Sequence, residues 1–506
     1  MNQDNNGVNR AKLYQLVLFP MNNGATNVYY ILTLNFISYY ANGVLGLALM
    51  FATTMVTAMR LFDAITDPII GALMDKTNTK YGKFRPFMVI GNAIMAISAI
   101  LLYFCTRFVS TEMMWLRYVL FVLFYALYVI GYTFQTSVTR SGQTVLTNDP
   151  NQRPLFTIFN TVASFIGMGL IQIVAIVFQE SLGGYNSPRF FDVIVPIAIA
   201  LSAGLTILAI IGIAEKDNEK YFGIGGKQKK VKISEYIQIL KANKELQRLM
   251  IAGGGCKLAF SIATNMAVLC MLYGAMMNNY NGLFMPMMVL GYVASVPFFL
   301  LSARVSQKKG QRASLVTFTT LALVMYAGVL VLLLIWKPNN PATQLTFSHI
   351  NLYTILFVIL FGVGYGAYYS TADMPIPMVA DCSDYETYRS GNYVPGIMGT
   401  LFSLVDKLVS SLGSTIVGLA LAVIGINTLP DATTPYAPGM NGVVIALFCV
   451  IPMIAWVATL WAMKGYKLTG EKMKEIQLVN AKRKDAIAQG MSLEEAMEKY
   501  QTAKDC

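Results

Sequence analysis

Residues 60–71 read RLFDAITDPIIG, and the thirty residues before them are almost free of charge. On a helix Arg60, Asp63 and Asp67 fall at i, i+3 and i+7, so the three share one face. A charged side chain in hydrocarbon costs about 2.5–3.5 kcal/mol on insertion scales. Three on one stripe must therefore turn toward a protein interior or a water-filled cavity. The stretch is read as a membrane helix whose inner face carries function.

The rest of the chain agrees with that setting. Its 506 residues are 55% apolar and 13% charged, with a mean hydropathy of +0.53, where a soluble protein carries about a quarter charged residues. Apolar stretches recur near 15–41, 43–72, 86–105, 114–140, 155–179, 190–214, 250–276, 282–303, 314–335, 351–372, 396–425 and 441–463. Each has about 20 residues or more, the length a bilayer requires. The fold expected is an all-α membrane protein with twelve transmembrane helices.

A net charge of +12 could mean a nucleic-acid partner, so its location matters. Of the 38 Lys and Arg, 31 fall in residues 1–13, the loops 73–85, 138–153, 215–248, 304–312 and 380–395, and the tail 464–506. Arg107, Arg117, Arg189 and Lys337 lie on the other side, and Arg60, Lys257 and Lys407 inside helices. The positive-inside rule then puts both termini in the cytoplasm. The basicity is topology, and no nucleic acid is expected. Residues 1–13 are polar and no cleavage site follows, so the first helix is read as its own insertion signal. Six scattered cysteines, without CxxC or a His/Cys cluster, predict neither metal site, cofactor nor disulfide framework. His349 is read as a surface residue. With no nucleophile–His pair or phosphate loop, no enzyme is expected.

The loop 215–248 divides the chain into halves 1–214 and 249–463, followed by the tail 464–506. Its Gly/Lys-rich start reads as a linker, and SEYIQILKANKELQR as a short amphipathic surface helix. The loop DKTNTKYGKFRP (75–86) is echoed at the same place in the second half by SARVSQKKGQR (302–312). Two duplicated six-helix halves predict a major-facilitator architecture with the substrate site between them near mid-membrane. The tail reads as soluble, helical and without evident chemistry.

Asp63 and Asp67 are one turn apart and repel in low dielectric unless a cation or proton sits between them. Carboxylate and hydroxyl oxygens suit a hard cation; the alternative is a structural ion pair with Arg60. Pro68 is expected to loosen this helix. Lys407, in TLFSLVDKLVSSLG, wants a carboxylate partner, with a local pair to Asp406 or snorkelling as alternatives. Arg140, one turn beyond Thr136, either snorkels or reaches substrate. Lys257, behind the glycines of AGGGCKLAF, is either structural or faces a cavity. Asp373, in the proline-broken YSTADMPIP, could line a cavity.

Residues 67–91, DPIIGALMDKTNTKYGKFRPFMVIG, closely resemble the signature of the sodium:galactoside symporters. This is the glycoside–pentoside–hexuronide:cation symporter family of the major facilitator superfamily, typified by melibiose permease. Asp67, Gly71, Asp75 and the run Gly82-Lys83-Phe84-Arg85-Pro86-Phe87 stand at that family's spacing, while Asn92 replaces a smaller residue. The resemblance continues in YTFQT…LTNDPNQR (132–153), MVADCSDYETYRSG (378–391) and GTLFSLVDKLVSSLG (399–413).

The resemblance implies a cation site of Asp63, Asp67 and Thr133, with Thr136 where melibiose permease has a carboxylate. It places the sugar-holding position of the first helix at Thr26 or Asn27, and makes Lys407 a bridge between halves. Arg140, Asp373, Tyr30 and Tyr132 join the substrate candidates; Tyr29, Tyr30, Tyr128 and Tyr132 either stack on sugar rings or pack. Asp75, Gly82, Lys83 and Arg85 are read as clamping a cytoplasmic gate. The missing acids at 26, 27 and 136, and the absence of a basic residue between Arg153 and Arg189, argue against a galactoside. A less negative cavity penalises an anionic sugar less, so a uronide or a neutral pentoside fits. The function expected is sodium- or proton-coupled symport of a glycoside, pentoside or hexuronide, by a monomer in the plasma (inner) membrane. The alternatives are a proton-coupled permease for another polar solute, or a non-transporting sensor of the same fold.

Overall fold

The computed structural model describes residues 10–77, 79–147, 153–218, 240–372, 374–391, 395–502 and 505, which form helices and the turns between them. Helix α1 is assembled from Leu13–Leu18 and Met21–Ile31, then wider π-turns at Leu32–Phe36 and Tyr40–Val44 around Ile37–Tyr39. There follow α2 (Leu49–Lys76), α3 (Phe84–Ile100), α4 (Met114–Ser141), α5 (Arg153–Gln179) and α6 (Pro188–Ile213). Helix α7 comprises Lys244–Ala263 and Met266–Met276, bent by 47°. At the bend the Asn265 side chain accepts from the Ala267 N–H at 3.0 Å, which restarts the helix. Then come α8 (Tyr280–Lys309), α9 (Gln311–Ile335), α10 (Leu352–Thr371) and α11 (Pro395–Val423). Helix α12 runs from Met440–Ile445 through Ile451–Gly465.

Among the described residues ten helices are long and apolar enough to cross a membrane, and bent α7 makes eleven. Broken α1, which is not among these, brings the helices of this all-α membrane fold to the twelve expected. The face pattern on α2 answers the question its charges raise. Leu61, Ile65, Ile69 and Leu73, spaced at i+4, are exposed as a lipid-facing ridge, while Asp63 is 1% exposed. The loosening expected at Pro68 does not break the helix, which continues to Lys76.

The helices pack into two compact units, Met1–Lys229 with Gly418–Thr433, and Lys230–Val417 with Thr434–Cys506. In the first, α3 and α4 cross at Gly91 and Gly131. A Cβ on either would lie 2.9 Å from the other's carbonyl oxygen, so only glycine admits this approach. Beside the crossing, buried amides and hydroxyls tie four helices. Asn92 Nδ2 donates to Ser202 Oγ (2.8 Å) and Thr206 Oγ1 (3.1 Å). Gln135 Nε2 donates to Thr206 Oγ1 (2.7 Å) and Asn22 Oδ1 (2.9 Å). Asn92, the departure from the family pattern, is thus a strut of a satisfied polar network. The segment Gly418–Thr433 is held in the same unit: Tyr39 Oη donates to the Pro430 carbonyl (2.5 Å) and Asn186 Nδ2 to that of Leu429 (2.9 Å).

In the second unit, a buried cluster joins Leu246 and Leu249 of α7, Met378 and Cys382 of the helix Pro375–Ser390, and Ile476 of the tail helix Gly470–Ala488. Asn480 Nδ2 donates to the Asp384 carbonyl (2.9 Å), and Arg483 Nη1 to that of Tyr388 (2.7 Å). The tail read as a soluble appendage is folded onto this helix. Burial, and then the neighbouring Asp384 carboxylate, push Asp381 up to about 6.

This packing has two measurable consequences. Gly131→Leu overpacks the crossing and is expected to cost about 1–3 kcal/mol, read as a lower melting temperature in detergent. Because Asp381 holds its proton more tightly folded than unfolded, stability rises as the pH falls through its folded value of about 6 toward the ordinary 3.8. Asp381→Asn should raise the melting temperature at neutral pH and flatten that rise; an unaltered pH profile would contradict it.

Candidate functional site

The inner face of α2 meets α4 at Asp63. Thr133 Oγ1 donates to Asp63 Oδ1 at 2.8 Å, and Thr66 Oγ1 lies 3.1 Å from Thr133 Oγ1. Thr66 also bonds the Asp63 carbonyl at 3.0 Å. Half-buried Asp67 follows one turn on. A carboxylate with hydroxyls and a second acid nearby is an oxygen donor set suited to a hard monovalent cation or a proton. Thr66 was absent from the sequence reading, although an i+3 hydroxyl after Asp63 is its visible signal. The Thr136 hydroxyl donates to the carbonyls of Tyr132 (3.0 Å) and Thr133 (3.3 Å) on its own helix, as Thr133 also bonds that of Val129 (3.0 Å).

Arg60 stands at the other side of Asp63, with Nη1 3.7 Å from Oδ2. Its guanidinium lies 4.6 Å from the centroid of the Tyr30 ring and 5.8 Å from that of Tyr132. Together these residues wall a partly open cavity within the first unit. Helix α1 contributes Tyr30, Thr33 and Leu34, α2 contributes Val56, Met59, Arg60 and Asp63, and α4 contributes Tyr125, Tyr128, Val129 and Tyr132. The π-turn at Leu32–Phe36 carries Thr33 and Leu34 to this wall. The Thr33 and Tyr128 hydroxyls meet at 2.5 Å, and both lie 2.6 Å from the Tyr29 carbonyl. Of the four tyrosines singled out in the sequence, three line the cavity. The fourth, Tyr29, is fully buried and packs edge-on against Tyr128.

The other candidates distribute as follows. Thr26 and Asn27 are buried and bond Asn23, through Thr26 Oγ1 to its carbonyl (2.9 Å) and Asn27 Nδ2 to the same oxygen (2.8 Å); neither lines the cavity. Lys407 is half-buried on α11 in the second unit. Asp406, offered as an alternative local partner of Lys407, lies 4.0 Å from Lys257. Asp373 and the side chains of Asp75 and Arg140 lie outside the described residues.

The gate candidates gather around a residue the sequence reading missed. Asp217, fully buried, accepts from the backbone N–H groups of Lys83 (2.8 Å), Phe84 (3.0 Å) and Arg85 (2.9 Å), and from Arg85 Nε (3.4 Å). It therefore caps the N-terminus of α3 from beyond α6, where dipole and free N–H groups favour an anion. Gly82 has φ +97°, and a Cβ there would strike the Asp217 carboxylate. Beside it, buried Lys216 donates to the carbonyls of Arg10 (2.6 Å) and Leu146 (2.8 Å). The loop read as a linker from residue 215 thus begins as a staple.

The twelve-helix fold agrees with the major-facilitator architecture expected from the sequence, and solved transporters share it. Among solved structures with this fold, the Escherichia coli fucose:proton symporter aligns with a TM-score of 0.52 at 11% identity, covering 90% of this chain and 98% of that one. A bacterial homologue of the iron transporter ferroportin aligns with a TM-score of 0.56 at 11% identity, covering 89% and 98%. The chain matches the family described as MFS/sugar transport protein over residues 19–470, and belongs to it. It is 23% identical over 467 residues to the putative glycoside/cation symporter YagG of Escherichia coli (strain K12), covering 92% of this chain and 93% of that one. To the glucuronide carrier protein homolog of the same organism it is 25% identical over 471 residues, covering 91% and 94%.

Asp217→Ala leaves three α3 N–H groups without their acceptor, a loss of about 1–3 kcal/mol. The expected result is a lower melting temperature and slowed turnover, with substrate affinity changed less than turnover. Loss of binding with turnover intact would contradict a gating role.

Proposed function

We propose that this protein carries a glycoside, pentoside or hexuronide into the cell together with sodium or a proton, by alternating access. The observation that carries this reading is Asp63, buried in a membrane helix, bonded to Thr133 at 2.8 Å and lining a cavity with four tyrosines. A buried intramembrane carboxylate is costly unless a counter-charge or proton visits it. Tyrosine faces and hydroxyls are what a polyhydroxylated ring needs. The family match and the sugar carriers among its relatives support the same class. The coupling ion binds at Asp63 and Asp67, with Thr133 and Thr66 completing its shell and no cofactor needed. The protein acts as a monomer in the plasma membrane with both termini cytoplasmic, as the distribution of Lys and Arg supports.

The test is uptake in proteoliposomes with labelled sugars under sodium, lithium or proton gradients. Asp63→Asn is expected to abolish accumulation against a gradient while leaving sugar exchange. Concentrative uptake persisting in that variant would remove Asp63 from the cation site, and dependence on one ion alone identifies the coupling ion.

A further inference from the structure

We propose that Arg60 recognises a carboxylate on the transported sugar, and that the coupling ion unmasks it for that purpose. This rests on the symport reading above and assigns its substrate to the acidic sugars. A guanidinium has five N–H donors in a planar fork. The carboxylate oxygen beside Arg60, Asp63 Oδ2, is 3.7 Å away, beyond hydrogen-bond length. Among the described residues Arg60 is therefore held by charge and by the faces of Tyr30 and Tyr132, with its fork unused. Stacking fixes the plane of a guanidinium and leaves its N–H edge open.

Two more groups in the same wall are unused. The hydroxyls of Tyr30 and Tyr125 make no hydrogen bond among the described residues, and both side chains line the cavity. An open fork, two phenols and aromatic faces match a ring that bears hydroxyls and one planar oxyanion. A carboxylate fits the fork with two parallel N–H···O bonds. A phosphate ester also fits a guanidinium, but it brings close to two negative charges. Among the described residues Arg60 is the one cationic residue lining the cavity, and Asp63 already offsets part of its charge. A monoanion is thus the better match.

The 3.7 Å contact also links ion to substrate. With the ion site empty, Asp63 and Arg60 neutralise each other. A sodium ion or proton on Asp63 takes up that carboxylate's charge and leaves Arg60 uncompensated, so an anionic sugar binds more tightly. By reciprocity the sugar's carboxylate on Arg60 strengthens ion binding by the same factor.

The experiment compares matched probes, glucuronate with glucose, galacturonate with galactose, and glucose 6-phosphate, in transport and in titration of the purified full-length protein. The wild type is expected to favour each acid over its neutral partner by about 10- to 100-fold, and added coupling ion should tighten the acid alone. Arg60→Gln should erase both effects, while Arg60→Lys, a charge without the fork, should keep part of the preference. Tyr30→Leu removes the stacking but not the charge and should lower the preference for acids. Wild-type preference for the neutral sugar or the phosphate overturns the proposal, whatever the variants do. So does a folded Arg60→Gln that keeps the acid preference. If neutral sugars accumulate against a cation gradient and acids do not, only the role of Arg60 falls. If no sugar accumulates under any gradient, the symport reading falls and takes this one with it.

Discussion

A bilayer offers no partner to a charge, and the first unit is arranged around that constraint. Helix α2 presents Leu61, Ile65, Ile69 and Leu73 outward and keeps Arg60 and Asp63 turned in. Asp63 is stabilised by the Thr133 hydroxyl and by the charge of Arg60. The guanidinium stands off at 3.7 Å, beyond hydrogen-bond length. A carrier needs this intermediate condition. A fully satisfied ion pair would leave nothing for an ion or substrate to improve, and an isolated carboxylate would not stay buried.

The rest of the unit separates structural polarity from functional polarity. Asn22, Asn92, Gln135, Ser202 and Thr206 bond one another and so lock α1, α3, α4 and α6 together. On the other face of α4, Tyr125, Tyr128 and Tyr132 are turned to the cavity that Arg60 of α2 also lines. One helix therefore serves both purposes, with Gln135 on its structural side and Tyr132 on its cavity side. Close packing at Gly91 and Gly131 keeps α4 in that orientation.

The polar ends of both units use charge in a third way. Asp217 caps α3 from the turn after α6, and Arg483 of the tail holds the Tyr388 and Tyr500 carbonyls. These groups join elements distant in sequence, so the loop after α6 and the tail after α12 are built into the units that carry them. Buried charge at a helix end finds peptide dipoles as partners, which hydrocarbon-facing positions lack.

Composition and periodicity were enough to read twelve membrane helices and the inward face of α2, because those follow from the cost of polarity in lipid. The resemblance to the sodium:galactoside symporters was enough to place Asp63 with Thr133. Neither was enough for Thr136, whose hydroxyl returns to its own backbone, nor for Thr26 and Asn27, which bond Asn23. A hydroxyl or amide on a helix can serve its own chain or a neighbour equally well, and only packing decides between them. Asp217 read as part of a linker because nothing near it in the chain marks its partner, a helix start more than 130 residues earlier. The division of the tyrosines into Tyr29 in the core and Tyr30, Tyr128 and Tyr132 at the cavity rests on the same cause. Sequence determines which residues cannot face lipid; the tertiary structure determines which of them face each other and which face an open space.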